Sequence, residues 1–329
     1  MEKVRFGIIG SNFIVDRFIK AAKLCENVEI RAIYSRDMDK AKSLANDKGI
    51  ALWFNDLEAF SCCQEIDAVY IATPNSLHFE QTIMMLKAKK HVLCEKPLAS
   101  NSIEASVMFQ CAKENGVFLM EAMRPVFLPT YQVIQEKLKE IGPIRHVTLS
   151  YCKYSSRYNK FKQGIVENAF DPRFSNGSIM DIGCYPIHAM VMLFGRPKEI
   201  TSMGIKIPDS IDANGNILAN YGEFIVNISY SKITDSYLRN EIQGEKGNIS
   251  FDDVTSPKNI CYRVVNEVQE IEIPDLEYEL QTFIDIVHSA EYTDTYQTYS
   301  LETVHLIDEA RRQMGISFPA DALVREEKI

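Results

Sequence analysis

Leu93-Cys94-Glu95-Lys96-Pro97-Leu98 sets a charged pair directly behind an apolar run, and its place in the chain decides the fold. The run His91 to Leu93 reads as a buried parallel strand, so Glu95 and Lys96 emerge at the strand's carboxyl end. In open α/β sheets that end is where ligands bind. A lysine there can reach a substrate hydroxyl beside a cofactor, and Pro97 restricts the backbone and can hold a cis bond that aims it. Taken alone, Glu-Lys-Pro is an ordinary charged surface turn; the segments on either side set its meaning.

Upstream, Val4 to Ile9 reads as a strand and Phe13 to Leu24 as an amphipathic helix, with Ile14, Phe18, Ala21 and Ala22 on one stripe. Between them, Gly10-Ser11-Asn12-Phe13-Ile14-Val15 stands where a dinucleotide-binding Gly-x-Gly-x-x-Gly/Ala turn would present backbone N–H groups to a pyrophosphate. Asn12 replaces the second glycine and Val15 the small third residue. Asn tolerates a left-handed backbone better than most residues, so the turn survives these changes. A plain strand-turn-helix without a ligand explains the same residues nearly as well.

The next strand, Val28 to Tyr34, ends in Ser35-Arg36. NAD sites place an acidic residue there for the ribose hydroxyl, whereas NADP sites pair a neutral residue with an arginine, so this end favours NADP over NAD. Asp67 to Thr73 is a third buried strand, after a short one at Leu52 to Phe54. It ends in Thr73-Pro74-Asn75, with Asn75 placed to cap the helix that runs to Ala88. Cofactor contact is the additional reading of Thr73, Pro74 and Asn75. His78 falls in that helix's first turn, where a structural role comes first and ligand contact second. Asn101 or Ser100 caps a further helix to Asn115, and Val117 to Glu121 is the last strand of the alternation. This pattern gives a doubly wound parallel sheet. It stops near Met123-Arg124-Pro125, which places domains at 1–123 and 124–329.

The second half changes character. A helix over Thr130 to Ile141 leads to an alternating strand, Arg145 to Tyr154, and strands follow at Asn216 to Tyr221, Glu223 to Ser231, Leu238 to Gln243, Asn248 to Phe251, Asn259 to Val265 and Val268 to Ile273. Helices are expected at Ile179 to Phe194, Tyr278 to Ala290 and Ser300 to Met314. The fold class is therefore α/β: an N-terminal doubly wound parallel sheet, then an α+β domain on a large, mostly antiparallel open sheet. One uncovered face of that sheet would be a natural dimer surface.

The chain has 329 residues and a formal net charge of -9, and no basic face is visible, which argues against nucleic acid as a partner. No secretory signal and no apolar run of membrane-spanning length are read, so a cytoplasmic protein is expected. The eight cysteines form no Cys-x-x-Cys pair and the six histidines no His-Glu-x-x-His pattern, so reduced thiols and no metal site are expected.

The Gly10 turn, Glu95-Lys96-Pro97 and Asp181-Ile182-Gly183-Cys184-Tyr185-Pro186, in this order, resemble the glucose-fructose oxidoreductase and inositol dehydrogenase family, written Gfo/Idh/MocA. The likeness extends through Gly116-Val117-Phe118-Leu119-Met120-Glu121-Ala122, Gly244-Glu245-Lys246-Gly247 and Arg311-Arg312-Gln313-Met314-Gly315-Ile316-Ser317-Phe318-Pro319. These stretches look most like the branch of dimeric dihydrodiol dehydrogenase and NADP-linked D-xylose dehydrogenase. The resemblance implies a Rossmann domain carrying NADP and a C-terminal domain that carries a carbohydrate, polyol or diol substrate and supports a homo-oligomer, a dimer or tetramer. By position it makes Lys96, Asp181 and Tyr185 the catalytic residues of a dehydrogenase acting on CH-OH groups. Gly10, Asn12, Phe13, Ile14, Ser35, Arg36, Thr73, Pro74, Asn75, His78, Glu95 and Lys96 become the cofactor-binding candidates. Arg124, Lys153, Arg157, Asn168 and Arg173 are substrate-contact candidates, each equally readable as a surface residue.

Elementary chemistry supports the assignment. Asp181 and Tyr185 are four apart and share a face on a helical turn, and Pro186 fits only if it lies near the helix's first turn or kinks it. A phenol titrates near pH 10, but a lysine cation about 4 Å away offers up to about 4 kcal/mol at an effective dielectric near 20, roughly three pH units before desolvation opposes it. Departures limit the likeness: Ser175-Asn176-Gly177-Ser178 stands where many members have a glycine run, and Arg124 and Val126 stand where the dihydrodiol branch has Trp and Arg. A cofactor-sensing regulatory protein and a redox-type glycosidase with a tightly held nicotinamide are the alternative functions.

Overall fold

The computed structural model describes residues 2–207, 211–262, 267–270, 276–289 and 294–322. The chain divides into two compact units, Met1–Met123 with Pro274–Thr298, and Arg124–Ile273 with Tyr299–Ile329.

The first unit holds six parallel strands, β1 (Val4–Ile9), β2 (Val28–Tyr34), β3 (Leu52–Phe54), β4 (Ala68–Ile71), β5 (His91–Glu95) and β6 (Leu119–Ala122), in the order β3-β2-β1-β4-β5-β6. The central strands β1, β4 and β5 are buried along most of their length, which is why they read as near-continuous apolar runs. Helices α1 (Phe13–Ala22), α2 (Met38–Lys48), α3 (Leu57–Ser61), α4 (His78–Lys87) and α5 (Ser102–Asn115) connect them. Asp37, Asp56 and Asn101 cap α2, α3 and α5 by accepting the N–H of Lys40, Ala59 and Glu104. Phe18 of α1 stacks on Tyr70 of β4 at 3.9 Å between ring centroids, sealing the helix onto the sheet.

Two expectations change here. Asn75 does not cap a helix from outside: it opens a 3₁₀ turn, Asn75–Leu77, that winds directly into α4, because Pro74 already sets the entry. The helix expected at 278–290, assigned by sequence to the second half, runs Glu277–Ser289 and belongs to the first unit, where Phe283 meets Phe6 at 5.6 Å and His288 Nε2 lies 2.9 Å from the Glu2 carbonyl. An apolar stripe states that a helix is covered, not which half of the chain covers it.

The second unit is built on eight strands: β7 (Ile144–Cys152), β8 (Glu199–Ile207), β9 (Ile211–Asn220), β10 (Ile225–Ser231), β11 (Asn240–Gly244), β12 (Asn248–Phe251), β13 (Asn259–Tyr262) and β14 (Glu267–Glu270). Their order is β14-β13-β12-β11-β7-β10-β9-β8, antiparallel except for the central β7 and β10. Val147, Val226, Ala219, Ile242, Ile249 and Tyr262 align across the register and are buried. The alternate face stays open, with Met203 77%, Ile205 61%, Leu218 51% and Ile225 47% exposed.

Strand β8 is absent from the sequence reading because its larger apolar residues point to the open face, which inverts the usual amphipathic signal. The strand expected from Asn216 begins five residues earlier, at Ile211, and takes in Asp212-Ala213-Asn214-Gly215. The strand ends expected at 263–265 and 271–273 and the helix end at 290 lie outside the described residues. Pro172–Phe194 has the length and apolar composition of a membrane span, contrary to the sequence reading, but 78% of its most apolar 18-residue stretch is buried within the fold.

Candidate active site

At the carboxyl edge of the parallel sheet, Gly10, Ser35, Thr73 and Lys96 come together because each lies one or two residues beyond a strand. Ile9 pairs with both Tyr34 and Ile71, and Ile71 with Cys94, so Gly10, Ser35, Thr73 and the Glu95-Lys96 pair share that edge. Gly10 has φ 138°, and a Cβ there would stand 2.5 Å from the Ala72 carbonyl oxygen. Only glycine fits that approach. Asn12 has extended backbone, not the left-handed form anticipated; it is the N-cap of α1, accepting the Ile14 N–H at 3.1 Å and donating to Ala72 O at 3.2 Å. The side chain thus fastens the turn to the end of β4. Val15, in place of a small residue, is buried without displacing the helix, while Phe13 is exposed.

Ser35 N–H bonds Phe54 O at 3.0 Å, and Arg36 stands exposed beside it. Thr73 Oγ1 donates to Gln81 Oε1 at 2.7 Å. His78 is fully enclosed, with Nδ1 3.0 Å from Pro97 O and Nε2 3.0 Å from Thr73 O. Burial lowers its proton affinity against the pull of those carbonyls, so the ring is a strut between the loops after β4 and β5. Contact with a cofactor would require it to leave that place. The Lys96-Pro97 bond is cis, as the proline suggested. Glu95 accepts the Tyr70 phenol at 2.5 Å; burial pushes its carboxyl up, opposed by Tyr70 and Lys96.

A glycine whose place admits no side chain, a capped helix N-terminus and an exposed arginine just past β2 fit a dinucleotide with an additional phosphate. Among the described residues, no group of three His, Cys, Asp or Glu side chains could hold a metal.

In the second unit, Ile179–Gly183 forms a π-helical turn that continues as helix Cys184–Phe194. Pro186, three residues into that helix, has no N–H to bond back into the π turn that precedes it, and single π turns of this kind recur at functional sites. Asp181 lies on the π turn and Tyr185 on the α turn after it, both partly exposed. The Tyr185 ring stands edge-on to Tyr151 of β7 at 5.6 Å.

Two residues that the sequence reading passed over hold this turn. Asp212 of β9, fully buried, accepts the Ser178 N–H at 3.0 Å and the Ile179 N–H at 2.7 Å. Burial pushes its carboxyl up to about 6, against those donors and Lys232. Gly177 (φ 149°) leaves room for it, since a Cβ there would lie 2.5 Å from Asp212 Oδ1. Lys232, just past β10, places Nζ 2.7 Å from Asp181 Oδ2. Its signal was available: like Lys96, it directly follows a buried strand.

The substrate candidates do not form one group. Arg124 Nη2 donates to Thr255 O at 3.2 Å. Lys153 is exposed, but its N–H bonds Ser231 O at 2.8 Å, beside Lys232. Asn168 opens the 3₁₀ turn Asn168–Phe170, whose Ala169 O accepts from Lys232 at 3.1 Å. Arg157 is exposed, and Arg173, 78% exposed, is held by Asp171 at 2.6 Å.

Comparison with known proteins agrees with this architecture. Residues 4–123 match the oxidoreductase family described as having an NAD-binding Rossmann fold, and residues 131–250 match the GFO/IDH/MocA C-terminal domain. The chain is 42% identical to scyllo-inositol 2-dehydrogenase (NADP(+)) IolU of Bacillus subtilis over 97% of this chain and 99% of that one. It is 26% identical to trans-1,2-dihydrobenzene-1,2-diol dehydrogenase of Xenopus tropicalis over 96% and 99%. The crystal structure of KijD10, a 3-ketoreductase from Actinomadura kijaniata in complex with NADP and TDP-benzene, superposes with a TM-score of 0.85 at 25% identity, covering 95% of this chain and 98% of that one. With both halves matched, the chain belongs to the Gfo/Idh/MocA family of oxidoreductases.

Proposed function

We propose that this protein is an NADP-dependent dehydrogenase that acts on a secondary hydroxyl of a cyclic polyol or sugar, with Lys96, Asp181 and Tyr185 as its catalytic residues. The observation that carries the reading is Asp181 and Tyr185 in successive turns of one helix, with Asp181 clamped by a buried lysine, in a chain whose first unit sets Lys96 at the end of β5. NADP, when bound, supplies the hydride acceptor or donor. The Gly10 turn and the start of α1 would hold its pyrophosphate, and Ser35 and Arg36 its additional phosphate.

Tyr185 takes the proton of the substrate hydroxyl during oxidation and returns it during reduction. Lys96 donates a hydrogen bond to the same oxygen and stabilises the charge that develops there. Asp181 orients the pair. Arg124, Lys153 and Asn168 are the substrate contacts in this reading, whereas Arg173, committed to Asp171, contributes least. The 42% identity to an inositol dehydrogenase makes inositols and their ketones the first substrates to try, ahead of aromatic diols. The open sheet face, with its exposed Met203, Ile205, Leu218 and Ile225, is the surface through which copies of the chain associate. The free cysteines suit a cytoplasmic setting.

The test is cofactor reduction over a panel of inositols, aldoses and diols with NADP and with NAD, in the wild type and in Arg36→Ala. Turnover with NADP on at least one cyclic polyol or sugar is expected, with the preference for NADP over NAD reduced by about tenfold in Arg36→Ala, a loss of about 1.4 kcal/mol. Tight NADP binding with no turnover on any member of the panel would favour a cofactor sensor instead.

A further inference from the structure

Lys232 is 2% exposed, in a position where lysine is rarely found. Its backbone is fixed on both sides: its N–H bonds Ala213 O at 3.0 Å, and its carbonyl accepts the Ser155 N–H at 2.9 Å. The side chain turns inward under the π-helical turn. There Nζ lies 2.7 Å from Asp181 Oδ2, 3.1 Å from Ala169 O and 4.8 Å from the centroid of the Phe170 ring. Taking an ammonium out of water costs several kcal/mol, which a partner carboxylate and a carbonyl must offset. The other carboxylate near it, Asp212, is already engaged by the Ser178 and Ile179 N–H groups. The ammonium is therefore directed at Asp181.

We infer that Lys232 is a positioning residue for the reaction: it holds the Asp181 carboxylate by Oδ2 in one orientation, and through Asp181 it fixes Tyr185 one turn further along the helix. The inference rests on the reading of Asp181 and Tyr185 as catalytic residues. Its physical basis is the fixed position of Nζ. Two contacts and an aromatic floor leave the ammonium one place to sit, so the carboxylate it binds cannot turn without breaking an ion pair whose cation is buried. A surface lysine in the same role would confer no such constraint, because exposed pairs exchange with water.

The test compares Lys232→Met with the wild type, reading kcat, KM, NADP affinity and the pH profile of oxidation. The titratable groups packed about the pair are Asp212 of β9, Tyr230 of β10 and, along the helix, Tyr185. Removing the cation leaves the Asp181 charge uncompensated near the phenol, so the rising limb of the profile moves to higher pH, by about one unit. At neutral pH kcat falls by about tenfold to a hundredfold, while KM and NADP affinity stay within about threefold. Lys232→Arg returns the profile to its wild-type position. A role confined to stability would lower the melting temperature and leave the profile unmoved, which would overturn the inference.

Lys96→Met and Asp181→Asn separate the two levels of the account. If both keep wild-type turnover, the catalytic reading itself fails. If both lose turnover while Lys232→Met keeps the wild-type kcat and profile, the inference about Lys232 alone fails. Should Lys232→Met not fold, Lys232→Gln and Lys232→Arg carry the comparison. A shifted profile in the first and a wild-type profile in the second support the inference; two wild-type profiles overturn it.

Discussion

At the edge of the parallel sheet, Gly10, Ser35, Thr73 and Lys96 each stand one or two residues beyond a strand, and the main chain alone puts them side by side. At the π-helical turn, Asp181 is kept in place by Lys232 and the turn itself by Asp212, residues distant in sequence whose charges are buried. The first arrangement depends on register and backbone shape. The second depends on ion pairing and desolvation, which respond to pH and to the loss of a single partner. A dinucleotide needs a pre-shaped backbone at several points, whereas proton transfer needs one carboxylate and one phenol with controlled charge.

The largest effect that would break this contrast is at Gly10. In Gly10→Ala the new methyl meets the Ala72 carbonyl, and φ 138° strains any residue with a side chain. A loss of about 2 kcal/mol or more in unfolding free energy is expected, with NADP affinity down by at least about tenfold by titration calorimetry. Wild-type values in both would mean that the edge is not held by backbone shape.

A smaller effect sharpens the contrast from the other side. His188, fully buried in the second unit beside Tyr299, has its proton affinity lowered by burial to a pKa of about 3. The unfolded chain takes up a proton near pH 6.5 that the folded chain refuses, so this contribution to stability is complete above pH 6.5 and is lost as pH falls toward 3. The expected slope is about 1.4 kcal/mol per pH unit across that window, and His188→Leu should flatten it by that amount in denaturant unfolding. An unchanged slope would show that burial at this point does not govern the second unit's response to acid.

The same contrast explains what the sequence disclosed. The parallel sheet was legible, strand by strand, because buried strands and capped helices carry local signals, and the cofactor edge followed from the strand ends. Asp181 and Tyr185 were singled out by the family resemblance, with their helical spacing in support; without it they read as ordinary polar residues near a helix start. Asp212 was hidden in Asp-Ala-Asn-Gly-Asn, which has the composition of a turn but pairs as a strand with β8 and β10, its carboxylate meeting two backbone N–H groups from another segment. Strand β8 was hidden because its exposed face carries its larger apolar residues. Helix 277–289 was visible as a helix, but its docking partner was not. In each case the missing information is a long-range contact that local pattern does not encode.

The central proposal is that Lys96 and Tyr185 act on one oxygen. Its most direct test is kcat for oxidation of the best substrate in the wild type, Lys96→Met, Tyr185→Phe and the double variant, with NADP affinity measured alongside. Each single change should lower kcat by about 10³-fold or more with NADP affinity little altered, and the double variant should lose little beyond either single one, as for groups that work as a unit. Single variants that retain kcat within a few-fold of the wild type, or losses that simply multiply in the double variant, would contradict it.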